Sequence, residues 1–396
     1  MNVKKLLLRK RRKKESLFKY ISALLHLWLG LLSSVIILIV CLTGCLYAFK
    51  NQINDFQNRK QVFVETKGKR LPLSYFEDKL KKEKQQINSI LIPKNPSRSV
   101  VISFFDIDSK NIQTHYFNPY TGEDLGSGNG NFDGFFNTVE ALHKNLLMGD
   151  VGKQIVGAFV LVFIFMLLSG LVLWWPKRKK KLIKQAFTIQ WKAKFHRVNY
   201  DLHNTFGFYS LAFLLFISLT GIYITYPWVK TAVLVSLGGE SISAQTQTEE
   251  GVSNSFANVM DAMLKKENEK IDKVAIKQIP LDSILYLTEK ELNYSGTTTI
   301  LLPDENEPRY QIQKINTSNW FGAMFPDFID FDRNGELKRS DLFKNKPLHQ
   351  QFKELSKPLH TGEIMGTSSV IFYFIITLIG FSLPITGFVI WWKKVK

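Results

Sequence analysis

The chain has 396 residues, 52 Lys+Arg against 34 Asp+Glu, and two Cys. That length allows two or more domains, and two thiols exclude both a disulfide-built scaffold and a cluster that needs four thiolates. The net charge of +18 suggests nucleic acid or a membrane surface. Its distribution decides between them. Residues 1–19, 176–205 and 393–396 hold 21 basic and 2 acidic residues, while the rest is balanced at 31 and 32. Each basic segment abuts a long apolar run, which is a membrane pattern and excludes a nucleic-acid face.

In chain order, a basic N-terminus (1–20) leads into a first uncharged run, 21–49. Further uncharged runs fill 155–175, 202–228 and 364–392. Each suffices to cross roughly 30 Å of hydrocarbon at about 1.5 Å per residue. The basic segments precede the first span, join the second to the third (176–201) and follow the fourth, so positive-inside logic puts them in the cytoplasm with both termini. Residues 50–142 and 229–359 then lie outside. The first run is too long for a cleaved signal peptide. Leu42-Thr43-Gly44-Cys45 looks like a lipoprotein cleavage box, but the repeat described below explains its Thr-Gly without one. Cys41 and Cys45, one turn apart, read as packing residues.

The outer regions carry similar patterns. In the first, a helix is expected over 74–86, strands over 89–92, 99–105 and 114–117, and a turn at 118–123. In the second, a helix over 280–292 precedes strands over 297–302, 309–314 and 327–332 and a turn at 333–336. Each reads as a small α+β module, one helix on a short antiparallel sheet. Asp330, Asp332, Asn334 and Glu336 suggest calcium, but the loop lacks the twelfth-position Glu of an EF-hand, so a plain hairpin turn is expected. Trp320, Phe321, Phe325, Phe132, Phe135 and Phe136 are candidates for a substrate surface or for packing these modules onto the spans.

The spans repeat. His26, Gly30 and Thr43-Gly44 have the spacing of His203, Gly207 and Thr220-Gly221. Likewise His143, Gly149, Ser169-Gly170 and Trp174-Trp175 match His360, Gly366, Thr386-Gly387 and Trp391-Trp392. Matched offsets indicate an internal duplication, here span–outer domain–span, with a pseudo-two-fold axis along the membrane normal. The glycines and Thr-Gly pairs read as close-packing positions and the Trp pairs as interfacial anchors.

Four of the seven histidines sit at the repeat's own positions. His26 and His203 fall near the cytoplasmic ends of the first and third spans; His143 and His360 precede the second and fourth spans on the outside. The pseudo-axis relates the members of each pair, so each pair can face across a bundle at one height. Two facing imidazoles fit bis-His ligation of a b-type haem. No Cys-x-x-Cys-His occurs, so attachment is non-covalent. Zinc or copper fits less well, because each level supplies only two His; Asp201 and Glu363 lie near their histidines but do not correspond. Two haems b are therefore expected, one between His26 and His203 and one between His143 and His360. A helix unbroken from His143 to Trp175 would lift the outer haem far above the bilayer. Breaks at 149–152 and 366–369 are expected instead, giving a short helix under each outer His. His196, His115 and His349 have no partner in the other repeat and are read as surface or packing residues.

These residues resemble the PepSY-associated transmembrane-helix family of iron-regulated membrane proteins, above all His26-Leu27-Trp28-Leu29-Gly30, Asp201-Leu202-His203 and Leu359-His360-Thr361-Gly362-Glu363 with the terminal Trp pair. Residues 117–123 resemble the end of a PepSY module. The resemblance implies a four-helix membrane protein with two PepSY-like periplasmic domains in a bacterial inner membrane, with the four repeat histidines as haem ligands. It also implies reduction of a ferric siderophore on the periplasmic side. The chain has no G-x-G-x-x-G fingerprint and no room for a flavin domain, so the expected electron donor is a cytoplasmic reductase or a membrane quinol. Two other classes are a non-enzymatic module whose outer domains bind a peptidase, and a haem electron carrier for another acceptor.

Overall fold

The computed structural model of the protein describes residue 11 and residues 15–108, 111–175, 180–239, 279–304, 307–319 and 321–395. Its elements run α1 (Leu17–Tyr47), α2 (Lys50–Gln57), α3 (Arg59–Val62), α4 (Leu73–Lys82), β1 (Gln85–Ile92), β2 (Val100–Asp106), β3 (Asn111–Phe117), β4 (Asp124–Ser127), α5 (Asp133–Asn145), α6 (Gly149–Trp174) and α7 (Lys180–Ala186). They continue with α8 (Phe195–Thr225), α9 (Pro227–Ser236), α10 (Leu281–Glu291), β5 (Thr298–Leu301), β6 (Tyr310–Asn316), β7 (Phe325–Phe331), β8 (Leu337–Asp341), α11 (Leu348–Thr361) and α12 (Thr367–Val395).

Among the described residues four helices, α1, α6, α8 and α12, are long and apolar enough to cross a membrane. They form a closed ring in which α1 packs on α6, α6 on α8, α8 on α12 and α12 on α1. Small residues permit the close crossings. A Cβ at Gly380 would come within 2.9 Å of Leu214, and Leu167, Leu214 and Ile376 make a buried apolar cluster in mid-bundle.

The helices under His143 and His360 are separate from the spans that follow. After α5 the chain turns through Leu146 and Leu147, both left-handed at φ 53° and 62°. After α11, Gly362 takes φ 81°, where a side chain would be strained. A 3₁₀ turn over Glu363–Met365 follows. Ser369 ties this turn down, accepting from Met365 N and donating to Gly362 O.

The outer regions differ from two separate modules. Their strands join one eight-stranded antiparallel sheet, ordered β4-β3-β2-β1-β5-β6-β7-β8. The seam is β1 against β5, pairing Ser89–Ile92 with Thr298–Leu301. Alternation explains why the join forms. Ile102, Ile90, Ile300, Ile312 and Ile329 lie directly opposite one another across five strands. They share one core with Leu73, Phe76 and Leu80 of α4 and Leu281 and Ile284 of α10. One sheet face thus buries both helices in a single core, which a short module with one helix could not match. The aromatic candidates divide: Phe136 is fully buried, Phe325 stacks on Phe343, and Phe132, Phe135 and Phe321 are exposed. Trp320 lies outside the described residues.

Ile300 is fully buried at the seam. We expect Ile300→Ala to cost about 2–5 kcal/mol and to lower the thermal unfolding midpoint of the detergent-solubilised chain. An unchanged midpoint would mean that the two halves of the sheet do not stabilise each other.

Candidate functional site

The bundle brings the four repeat histidines together in two pairs. His26 of α1 faces His203 of α8, with ring centres 6.4 Å apart. His143 of α5 faces His360 of α11 at 6.2 Å. On α1, His26 and Thr43, which touches His143, are 17 residues apart. The two levels are therefore separated by roughly 25 Å along the axis, most of a bilayer core.

Each imidazole is held by the same device. His26 Nδ1 donates to Ser169 Oγ at 2.9 Å, and His203 Nδ1 to Thr386 Oγ1 at 2.9 Å. His143 Nδ1 donates to Thr43 Oγ1 at 3.2 Å, and His360 Nδ1 to Thr220 Oγ1 at 3.1 Å. The carbonyl three residues before each hydroxyl also accepts: Met166 for His26, Leu383 for His203, Val40 for His143 and Ile217 for His360. The hydroxyls are themselves committed as donors, Ser169 to Met166 O, Thr386 to Ser382 O, Thr43 to Ile39 O and Thr220 to Phe216 O. Only their lone pairs face the rings, so each Nδ1 carries the proton and each Nε2 keeps a free lone pair. Burial pushes His143 and His360 toward the neutral form, His360 to about 4. A neutral imidazole with Nδ1–H fixed by a second partner is the ligand form that metals take.

The residue after each hydroxyl is glycine, and the rings need it. A Cβ at Gly170 would lie 3.3 Å from His26 Cε1, and one at Gly387 3.3 Å from His203 Cε1. At Gly44 it would lie 3.3 Å from His143 Cε1, and at Gly221 3.0 Å from His360 Cε1. The hydroxyl–Gly pairs therefore both bind and clear space for the imidazoles, a role beyond helix packing. The signal was present in the sequence as four such pairs for four histidines.

Two metal–imidazole bonds of about 2 Å, with roughly 1 Å from each nitrogen to its ring centre, span about 6 Å. Both pairs match that span. Among the described residues no group of three or more His, Cys, Asp and Glu could hold a metal ion. Each level thus offers two imidazoles whose Nε2 lone pairs could hold a metal that brings its remaining donors with it. Thr205 Oγ1, Tyr223 Oη and Trp391 Nε1 are buried in the spans without a hydrogen-bond partner.

The other histidines stand apart. His196 is exposed at the start of α8. His115 of β3 pairs with Asp124 at 2.8 Å and packs on Phe104. His349 is not the surface residue expected: it is half-buried beside Gly239, its Nδ1 sealed without a partner. Asp201 is buried near His203, pairing with Arg197 and accepting from Gln190 N. Asp332 accepts from Asn334 N and Glu336 N and pairs with Lys338, so this loop is a hairpin turn closed on itself.

Residues 23–394 match the PepSY-associated TM region. The chain belongs to this family. The match takes in most of the first span, all of the second and third, the fourth but for its last residue, and all four paired histidines. Among curated proteins, no relative matches the chain.

Histidine-selective 15N NMR of the haem-free protein should find Nδ1 protonated and Nε2 bare at His26, His143, His203 and His360. The exposed His196 should instead average between tautomers. A majority of Nε2–H tautomers at the four paired histidines would refute the hydrogen-bond assignment.

Proposed function

We propose that the protein is a membrane oxidoreductase that carries electrons across the bilayer on two b-type haems and reduces a ferric siderophore outside. The observation that carries this reading is the repeated His–hydroxyl–Gly cradle, present at two levels with both ring separations fitting a bridging metal. His26 and His203 hold one haem, His143 and His360 the other. When bound, each haem would supply an iron suited to one-electron transfer. Ser169, Thr386, Thr43 and Thr220 orient the rings and raise the basicity of Nε2 through the Nδ1 hydrogen bond. Tyr223 Oη, Thr205 Oγ1 and Trp391 Nε1, buried in the spans without partners, are free to donate to polar atoms of a bound group. Leu167, Leu214 and Ile376 keep water out of the space between levels.

The equivalence of the two cradles supports an internal duplication, with the pseudo-axis along the membrane normal. The basic segments at 1–19, 176–205 and 393–396 support an orientation with both termini in the cytoplasm. The sheet then faces the periplasm of a bacterial inner membrane. His26 and His203 lie on the side of the donor, a cytoplasmic reductase or a membrane quinol, and His143 and His360 on the side of the acceptor. One electron converts Fe(III) to Fe(II), and the lower charge weakens its attraction to hard anionic oxygen donors.

Protein purified in detergent should contain about two haems b per chain by pyridine haemochrome. His26→Ala and His360→Ala should each lose about one. The absence of a Soret band in protein made with ample haem would refute the reading and favour a peptidase-binding module. In a second experiment, dithionite-reduced protein freed of excess reductant should be reoxidised on adding a ferric siderophore, with Fe(II) trapped by a chelating dye. Haem that stays reduced would instead mark an electron carrier for another acceptor.

A further inference from the structure

On the helix-covered side of the sheet, where the two outer regions meet, a cavity of about 590 Å³ opens between α4, α10 and the ends of β1, β2, β5 and β6. Its size is that of a small-molecule site. None of its lining residues belongs to the spans. Leu71, Phe76 and Ile92 supply apolar wall, and Arg70, Lys94 and Lys314 supply cations.

Among the described residues the cations make no close ion pair. Lys314 is 4% exposed, in the middle of β6. Its Nζ donates to the neutral Leu292 carbonyl at 2.7 Å and sits over the Tyr294 ring, and it makes no ion pair among the described residues. Its close contacts are neutral and its charged neighbour is Glu289, exposed at the rim, so a buried ammonium here gains from a closer anion. Arg70 likewise donates only to the carbonyls of Pro93 and Asn95, and Lys94 to Thr317 Oγ1. The nearby acids are engaged elsewhere. Asp282 accepts from Leu73 N and Ser74 N at the start of α4. Asp327 accepts from Tyr294 Oη and Phe343 N. Glu289, exposed at the rim, is the remaining lining carboxylate. Three cations against two lining carboxylates, one of them tied to the backbone amides of α4, leave the cavity one charge positive, with apolar wall for a carbon skeleton.

We propose that this cavity binds a small organic polycarboxylate, free or wrapped around ferric iron. Arg70 and Lys94 meet its carboxylates at the rim, and Lys314 neutralises one at the floor. The iron-loaded form would make the cavity a docking place for the reducible chelate, and that link alone rests on the function proposed above.

The test is isothermal titration of the full chain in detergent with citrate, with ferric citrate and with inorganic phosphate. Citrate, ferric citrate or both should bind saturably at one site per chain, and more weakly as salt is raised. Binding of ferric citrate alone would assign the iron-loaded form; binding of both would assign the carboxylate itself. Lys314→Met should weaken binding about tenfold or more, and so should the rim pair Arg70→Gln with Lys94→Gln. The rim pair is accessible to solvent, so it answers even if Lys314→Met fails to fold. The proposal is overturned if neither citrate form binds, if phosphate binds as tightly, or if the rim variant binds like wild type. A haemochrome count on the same samples reports separately on the electron-transfer reading.

Discussion

The hydrogen bond from each imidazole Nδ1 to a serine or threonine hydroxyl organises the bundle. That hydroxyl has spent its own proton on a helical carbonyl, so it can only accept. The acceptance fixes the tautomer, the tautomer frees Nε2, and the neighbouring glycine lets the ring come close enough for the bond to form. The bond also ties helices together. The inner cradles link α1 to α6 and α8 to α12; the outer ones link α5 to α1 and α11 to α8. In a hydrocarbon surround, where apolar packing gives helices little reason to associate, such polar links and close small-residue crossings hold a bundle together.

Depth follows from the same bonds. Each outer histidine rides on a helix that a turn separates from the next span, so the height of its ring is set by the threonine it meets. Thr43 and Thr220 both lie 17 residues along their helices from His26 and His203. Equal offsets on two helices place the outer rings at one height, as the 6.2 Å approach of His143 and His360 requires.

Much of this was legible in the residues. Uncharged runs gave the spans, and matched offsets picked out the four histidines and their pairing. Breaks before α6 and α12 were expected from glycines and from the length of bilayer to be crossed, but they fall earlier, at Leu146–Leu147 and at 362–366, and residues 150–152 and 367–369 lie inside the spans. What the one-dimensional pattern hid was cross-element geometry. Ser169, Thr386, Thr43 and Thr220 looked like packing residues because their partners are 100 to 183 residues away. The continuous sheet was hidden for the same reason. The β1–β5 pairing joins segments some 200 residues apart, and an edge strand of a small module has the same alternation as an interior strand of a large one. His349 was misread because a lone histidine on a polar helix gives no sign of the glycine it packs against.

The seam between β1 and β5 bears on how the molecule can move. A single ladder of four paired positions, buried beneath two helices, fastens the outer ends of both halves to each other. Rocking one half against the other, as alternating-access transporters do, would require tearing that ladder and opening the core below it. The architecture instead resists such motion and keeps the spacing between the two histidine levels constant. For the electron transfer we propose, that rigidity would suit a fixed wire, in which the traffic moves and the protein stands still.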